Sequence, residues 1–242
     1  MGLISRHAAP RLVIPKLIGN IASVPAAAAG PAPTLAFAGA TNDTSNASAY
    51  TFTNHAISTA ASDRYVVVVA VATDSSTAGK VSSITIGGNT ATMHRNDERV
   101  PGGGSVELYS AIYGLTVTSG TTATIVVTYS TAKVRCGIAV YALYGLTSTT
   151  EHHGNSNNGA GTSISTTLNI PSQGIAIAGS ICASNNADHS ATGLTEDTDT
   201  SPENPTRFIA MSASNMSSET GRTITATGTA STSRIISAAS WV

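Results

Sequence analysis

Short apolar runs separated by turn-forming residues follow one another from position 35 to the end of the chain. Several runs alternate apolar with polar residues, as in TATIVVTY at residues 122–129. Clusters of Gly, Asn, Asp, Ser and Thr lie between the runs, and these residue types favour turns. No segment shows convincing helical periodicity. The sequence therefore predicts a chain built from strands.

The predicted strands are spaced fairly evenly along the chain. They lie at residues 35–37, 50–57, 64–72, 81–86, 90–95, 105–113, 122–129, 134–144, 162–170, 174–183, 206–213, 222–227 and 234–242. Short strands without helices between them are typical of two packed antiparallel sheets. We therefore expect an all-β fold, an antiparallel two-sheet β-sandwich of the jelly-roll type, over residues 34–242. Gly87-Gly88-Asn89 predicts a hairpin, because these residues tolerate positive φ.

One predicted strand differs from the others. Residues 64–72 read RYVVVVAVA and show no alternation of apolar and polar residues. Successive side chains of a strand point to opposite faces of its sheet, so this strand is apolar on both sides. We expect it either at the centre of the sandwich or beneath a neighbouring subunit.

Composition limits the partners of the chain. Its 242 residues are 41% hydrophobic and 10% charged, with a formal net charge of −1. Such a chain folds, but it lacks the positive charge that drives binding to nucleic acid or to an anionic membrane. Its longest apolar run is too short to span a bilayer. Lysine occurs only at Lys16, Lys80 and Lys133, so few charges protect strand edges, and we expect a homo-oligomer. The alternative is a monomer that its Ser and Thr hydroxyls keep in solution.

The first 33 residues differ from the rest. Prolines at positions 10, 15, 25, 31 and 33 prevent a long helix. The segment also carries basic residues and an apolar set without a core of its own: Leu12, Val13, Ile14, Leu17, Ile18, Ile21 and Val24. We predict an extended anchoring arm, residues 1–33, whose apolar residues dock onto a partner or a sister subunit. Packing on its own domain is the alternative. A signal peptide is disfavoured because Pro15, Asn20 and Pro25 interrupt the apolar stretch.

Common catalytic motifs are missing from the sequence. There is no Gly-x-Ser-x-Gly elbow, no phosphate-binding loop around Gly79-Lys80, and neither a His-x-x-x-His nor a Cys-x-x-Cys pair. Catalytic groups can also converge from distant positions, so a hydrolase with scattered Ser, His and Asp stays an alternative. We predict a non-enzymatic protein with no catalytic residues, no cofactor and no bound metal.

Two polar clusters are candidates for ion binding. His152 and His153 precede the polar stretch 154–159, which suggests an exposed loop; a metal contact or a pH-responsive contact across an oligomer axis is the alternative. Asp197 and Asp199 resemble a fragment of a calcium loop, but the glycine and the distal glutamate of the helical calcium motif are missing. We interpret this second cluster as a solvated acidic turn.

Cys136 and Cys182 are the only cysteines. Cys136 shares a strand face with Ile138 and Val140, whereas Cys182 lies opposite the apolar face of its own strand. A disulfide would require both side chains to point at each other. We predict two free thiols, with a disulfide as the alternative, and free thiols are compatible with assembly in a reducing cytoplasm.

Two long stretches follow one order of strand types. They are SVELYSAIYGLTVTSGTTATIVVTYSTAKVRCGIAVYALYGL, residues 105–146, and TSISTTLNIPSQGIAIAGSICAS, residues 162–184. The order is a Thr-rich strand, an Arg-Cys-Gly-Ile-Ala-Val-Tyr-Ala-Leu strand, a loop of small polar residues, and then Thr-rich and Gly-Ile-Ala-Ile-Ala strands. This order resembles a β-sandwich module of structural proteins of tailed bacteriophages. The arm is similar to the virion-anchoring segments of phage decoration and appendage proteins.

The resemblance implies a virion structural protein that assembles in the host bacterial cytoplasm. Its arm would join capsid, neck or tail proteins, while the sandwich would decorate the particle, project from it or form a collar. The alternative is a carbohydrate- or receptor-binding module of a phage appendage or a secreted adhesin. In that case loops 101–104, 152–160 and 185–205 would contact a host-surface glycan. Aromatic residues make up only 5% of the chain, and its one tryptophan, Trp241, ends the last predicted strand. We expect the strand tyrosines to pack rather than to stack on sugars; they are Tyr109, Tyr113, Tyr141 and Tyr144.

Overall fold

The structure is a computed structural model that describes residues 30–74, 79–100, 106–183, 189–202 and 206–242. Within these ranges the chain forms strands and no helix, so the predicted all-β fold is confirmed. No described segment is a helix of the length and apolarity needed to cross a membrane. The strands are β1 (Thr34–Asp43), β2 (Ala47–Ala56), β3 (Tyr65–Asp74), β4 (Val81–Ile86), β5 (Asn89–Thr90), β6 (Thr92–Arg99), β7 (Glu107–Thr116), β8 (Thr122–Lys133), β9 (Arg135–Tyr144), β10 (His153–Ile170), β11 (Gly174–Cys182), β12 (Ser190–Thr192), β13 (Thr195–Thr200), β14 (Arg207–Met216) and β15 (Glu219–Trp241).

The strands pair antiparallel in three sheets. Sheet I has the order β1-β9-β3-β7-β6, and sheet II has the order β2-β8-β4-β5. Sheet III has the order β10-β15-β11-β14-β13, with β12 paired to β15. The predicted number of two sheets is therefore wrong. The third sheet arises because residues 153–241 pair among themselves instead of completing sheets I and II.

Sheet I is the middle layer, and β3 lies at its centre. On one face, the even-numbered residues of 66–72 pack with sheet II side chains such as Ile125. On the other face, the odd-numbered residues of 65–71 pack with sheet III side chains such as Ile177 and Phe208. All of β3 is buried. The predicted central position of this strand is confirmed, and the sheets that cover it belong to the same chain.

Sheet III curls because β10 and β15 are long strands that bend. Residues 153–161 of β10 pair with 232–240 of β15, whereas 163–170 pair with 219–227. The register shifts between Gly161 and Ser163, where the strand turns. The result is a nearly barrel-shaped sheet around a third core, which contains Leu168, Ile209 and Ile224 among others.

The two parts of the described chain repeat one strand plan. In the first half, β1–β9, the central β3 pairs with β7 and β9, and in the second half, β10–β15, the central β11 pairs with β14 and the end of β15. The other pairs of the first half also have equivalents in the second. The pair β1–β9 corresponds to the first part of β10 with the end of β15, and β2–β8 corresponds to the second part of β10 with the start of β15. The pair β4–β8 corresponds to β12–β15, and β6–β7 corresponds to β13–β14. The register is repeated too, because the following two pairs are equivalent positions of the two halves. Thr73 and Arg135 are partners in the first half. Cys182 and Arg234 are partners in the second.

Local predictions are met to different degrees. The hairpin is confirmed, since Gly87 and Gly88 adopt φ values of 60° and 82° between β4 and β5. Strands β12 and β13 were not expected. The polar loop expected at 152–160 is wrong, because His153 and the residues after it belong to β10. Pairing with β15 satisfies this polar backbone, which a hydrophobic pattern cannot reveal.

Sheets I and III approach each other closely at Gly179 of β11. A Cβ atom at this position would lie 2.2 Å from Cγ1 of Val69. The Ser110 hydroxyl of β7 donates to the Gly179 carbonyl at 3.3 Å. The absence of a side chain at Gly179 therefore permits the contact between the two halves of the chain.

We expect Gly179→Ala to lower the free energy of unfolding by about 1–3 kcal/mol, because the added methyl group forces the sheets apart. Gly159→Ala is the matched control, since its Cβ would meet only Cδ1 of Ile164, at 3.6 Å. Urea unfolding followed by the fluorescence of the buried Trp241 measures both variants. Equal destabilisation of the two variants would contradict the close packing at Gly179.

Candidate functional site

The predicted partner-binding residues of the arm lie outside the described residues. They are Leu12, Val13, Ile14, Leu17, Ile18, Ile21 and Val24. Their docking therefore stays a prediction. The unit that contains all the described strands begins at Pro31, three residues before β1.

A groove of about 530 Å³ lies between β1 and β2. Residues 38–43 of β1 and 51–56 of β2 line it. Among the described strands each of these is at the edge of its sheet, β1 beside β9 and β2 beside β8. Edge strands present main-chain amides and carbonyls that another strand can pair with. The groove is therefore suited to an extended peptide segment.

The short connection between β1 and β2 brings the two edges together. The amide and the hydroxyl of Ser45 donate to Oδ1 of Asp43 at 2.8 and 2.6 Å. The Tyr50 hydroxyl lies 2.9 Å from the Ser45 carbonyl and 2.6 Å from the Lys133 carbonyl. These contacts fix the point at which the chain leaves sheet I and enters sheet II.

The second half closes the equivalent groove. There, the two parts of β10 take the places of β1 and β2, and the space between them measures only about 230 Å³. The Asn155 amide donates to the Thr167 carbonyl at 3.2 Å, and the Asn157 amide donates to the Ser165 carbonyl at 2.8 Å. The smaller space of the second half is thus bridged by side chains, and the larger groove of the first half is the better candidate for a binding site.

A polar cluster surrounds His94 of β6, whose side chain is buried. Its Nδ1 atom is 2.5 Å from Oε2 of Glu151, and its Nε2 atom is 2.8 Å from the Tyr65 hydroxyl. Arg95 donates to the second Glu151 oxygen at 3.0 Å. Because a carboxylate can only accept, Nδ1 carries the hydrogen in the contact with Glu151.

A cavity of about 290 Å³ adjoins this cluster. Its other walls are Thr92, Gly114, Leu115, Thr116, Thr149 and Thr150. Behind His94 the ring of Trp241 stands at 88° to the imidazole, with 5.2 Å between the ring centres. Hydroxyl groups and one carboxylate thus face a space that accommodates a small polar ligand.

Protonation in the cluster is set by burial and hydrogen bonds. Burial raises the pKa of Glu151, but hydrogen bonds from His94, from its own amide and from Arg95 outweigh burial, so the pKa lies below its ordinary value. Burial and then the Glu151 charge raise the pKa of Tyr65 well above its ordinary value. The Tyr65 phenol is therefore a hydrogen-bond donor at neutral pH and a poor nucleophile.

A second histidine contact, between His189 and the Cys182 thiol, lies in the second half of the described chain. The Sγ atom of Cys182 is 3.0 Å from Nε2 of His189. Cys182 is buried, and in the register it lies opposite Arg207 and Arg234. Burial, with a contribution from the Arg234 charge, lowers the pKa of His189. This imidazole is therefore neutral at neutral pH.

The candidate ion-binding residues have other partners or lie apart. His153 begins β10, and its Nδ1 accepts from the Asn169 amide at 3.4 Å. The solvated acidic turn is wrong, because Asp197 and Asp199 lie in β13. The Tyr141 hydroxyl donates to Asp197 at 2.9 Å, and two nitrogens of Arg207 donate to Asp199 at 2.5 and 2.8 Å. Within the described ranges, no group of three or more His, Cys, Asp or Glu residues is arranged to hold a metal ion.

The cysteines and most of the aromatic residues are buried. No disulfide joins Cys136 and Cys182, and both side chains are buried. Burial raises the pKa of the Cys136 thiol to about 12. Tyr109, Tyr113 and Tyr141 are buried as expected, whereas Tyr144 is only half-buried. Trp241 is also buried. The loop at 101–104, which would contact a glycan in the carbohydrate-binding alternative, lies outside the described residues.

Sequence reasoning missed the His94 cluster. Tyr65, His94 and Glu151 are far apart along the chain. Pairing of β3 and β6 with β7 brings Tyr65 and His94 together, and Glu151 contacts His94 from the segment before β10. The only local signal is a histidine in a strand with polar neighbours.

No protein-family model matches the chain, and no curated protein matches it either.

The Glu151 carboxylate stabilises the fold when it is ionised. Its pKa in the folded chain lies below the ordinary value of 4.5, so the stabilisation is complete above that pH and is lost as the pH falls through the lower folded-state pKa. We expect Glu151→Gln to lower the urea midpoint at neutral pH and to weaken the fall of that midpoint in acid. Glu219→Gln, at a residue paired with Arg222 on the surface, is the control. An unchanged acid dependence in Glu151→Gln would refute this role.

Proposed function

We propose that this chain is a non-enzymatic structural protein of a tailed-bacteriophage virion and joins other copies and other virion proteins through its N-terminal arm. In this proposal each half of the described chain is a β-sandwich, and the first is of the jelly-roll type. The stacked sandwiches form a rigid body on a capsid, neck or tail, where they decorate the particle or form a collar. The sequence resemblance supports this class of assembly.

The open groove between β1 and β2 is the observation on which the proposal depends. The arm precedes β1 directly in the sequence, and its apolar residues gain stability when a surface removes them from water. Its prolines disfavour a helix and favour an extended chain. An extended chain can pair with an open strand edge whatever its side chains are. The groove therefore supports an assembly in which strand pairing joins subunits.

We assign the groove to the arm of a second copy. The groove is lined by residues 38–43 of β1, beyond the middle of that strand, whereas the arm of the same chain meets β1 at its start. To reach the groove, that arm would have to reverse direction just before Thr34. Pro31 and Pro33 stand at this point and bias their neighbours towards extended backbone. Exchange of arms between copies avoids the reversal and makes a homo-oligomer.

The interior of the described chain supports a mechanical role. Three apolar cores are stacked in series and share sheets I and III. Polar side chains tie strands to one another, as in the contact of Tyr141 with Asp197 and the ion pair of Arg207 with Asp199. Such a body resists deformation because a shift of one sheet disturbs the core on each of its faces.

A chain that begins at Thr34 tests the role of the arm. We expect this truncated chain to stay folded and monomeric, to lose the self-association of the full chain, and to be missing from its particle. A synthetic peptide of residues 11–24 should bind the truncated chain and protect residues 38–43 and 51–56 from hydrogen exchange. Light scattering and exchange mass spectrometry measure these effects.

The control peptide carries serine in place of Leu17 and Ile18, and we expect it to bind at least tenfold more weakly, because burial of two large apolar side chains contributes several kcal/mol. A full chain that is monomeric, protection confined to other strands, or normal incorporation of the truncated chain into its particle would contradict the proposal. Intramolecular protection of the groove in a monomeric full chain would assign the groove to the chain's own arm.

The cavity beside His94 favours a second function, the binding of a small glycan from a host surface. Its hydroxyl-rich walls and the Glu151 carboxylate offer hydrogen-bond partners to sugar hydroxyls. We expect Thr116→Val, which removes one hydroxyl at nearly constant volume, to weaken the binding of any monosaccharide that titrates into this cavity. Thr122→Val, at an exposed residue of β8, is the control. Chemical shifts that do not change with a panel of monosaccharides would exclude this function.

A further inference from the structure

Lys133 is a fully buried lysine at the boundary of two sheets. Its Nζ atom lies 3.4 Å from Oδ2 of Asp74 and 2.8 Å from the hydroxyl of Thr131. The Tyr109 ring centre is 4.1 Å from Nζ. Asp74 is the last residue of β3 in sheet I, and Lys133 is the last residue of β8 in sheet II. The pair therefore connects the two sheets across the first core.

A second carboxyl group stands beside this pair. Glu107 begins β7 and lies directly opposite Asp74 in the register. Directly paired residues of antiparallel strands place their side chains on one face of the sheet. The Tyr109 hydroxyl donates to Oε2 of Glu107 at 2.5 Å and so fixes its position. Both carboxylic residues are buried, so the amine and the two carboxyl groups share a site with little water.

Burial changes the reactivity of the amine. It lowers the pKa of Lys133, although the carboxylates of Asp74, Glu107 and Glu98 oppose the change. A neutral amine carries the lone pair that a nucleophile needs. Burial of an ion pair removes water from both charges, and the attraction between them often fails to repay that cost. A neutral amide between the same two side chains has no such cost.

The second half of the chain shows that the strand plan does not require these residues. By the repeated register, Ala183 takes the place of Asp74, and Thr232 takes the place of Lys133. Thr206 takes the place of Glu107, because the residue after it, Arg207, pairs with Cys182. The amine and both carboxyl groups are therefore specific to the first half.

We propose that Lys133 and Asp74 form an intramolecular isopeptide bond. A proton passes from the Lys133 ammonium group to the Asp74 carboxylate, and the Nζ lone pair then attacks Cγ of Asp74 to give a tetrahedral intermediate. Glu107 accepts a proton from the nitrogen and transfers it to the departing hydroxyl. A C–N bond forms, a C–O bond breaks, and one water molecule leaves. Nothing is oxidised or reduced, and no further reactant is consumed.

Tyr109 acts as a positioning residue in this reaction. Its hydroxyl holds Glu107, and its ring centre lies 4.1 Å from the amine nitrogen of Lys133. The product would tie β3 to β8 covalently, and so sheet I to sheet II. The bond requires neither the arm nor a virion, so its test is independent of the proposed function.

The intact mass of the purified full chain tests this proposal. We expect the measured mass to lie one water molecule below the sequence mass, and a proteolytic digest to contain one branched peptide with both Lys133 and Asp74. Lys133→Met and Glu107→Gln are expected to show the full mass of their sequences. Lys80→Met is the matched control, since Lys80 is exposed, and it should keep the loss of water.

Outcomes that overturn the proposal are equally direct. A wild-type chain with the full sequence mass and an unmodified Lys133 peptide would leave only a buried ion pair, and this measurement does not depend on whether any variant folds. A loss of water mapped to other residues would also overturn it. If Glu107→Gln still forms the bond at the wild-type rate after refolding, Glu107 does not transfer the proton.

Discussion

Burial of sheet I on both faces is the constraint on which the rest of the structure depends. Because β3 contributes alternate residues to two cores, neither neighbouring sheet can move without exposing apolar surface. A sheet covered on both faces leaves its polar groups few routes to water, so they must find partners inside the chain. This explains why Lys133, Asp74 and His94 lie at the margins of the cores and contact other side chains of the same chain.

Duplication of one strand plan accounts for both the similarity and the difference of the two halves. The second half keeps β10 and β15 continuous and bends them, whereas the first half interrupts the equivalent strands near Ser45 and Val134. Continuity draws the two parts of β10 together, and the amides of Asn155 and Asn157 bridge them. Interruption separates β1 from β2 and leaves the larger groove. The candidate binding site, the groove between β1 and β2, is thus open because the first half interrupts strands that are continuous in the second half.

The sequence was informative where burial follows a simple pattern. The run at 65–72 predicted a strand covered on both faces, and Gly87-Gly88 predicted a hairpin, since each depends on local chemistry alone. The third sheet could not be predicted, because the polar residues 153–161 become a strand only through pairing with β15. The duplication did leave a trace: Arg135 and Arg234 each follow a Thr-rich segment and begin an apolar strand. The His94 cluster left only a histidine in a strand with polar neighbours, since its members come from three distant segments.

The groove and the Lys133 site are adjacent, and this bears on how the two proposals combine. The Tyr50 hydroxyl lies within hydrogen-bond distance of the carbonyls of both Ser45, in the β1–β2 connection, and Lys133. A neighbour's arm held in the groove would pull on β1 and β2, which belong to different sheets, and apolar packing, hydrogen bonds and the ion pair of Lys133 with Asp74 oppose the separation of those sheets. A covalent bond between Lys133 and Asp74 would stand close to the point where that force enters the body. The proposed isopeptide bond would thus resist the force that the arms of neighbouring copies would apply to sheets I and II.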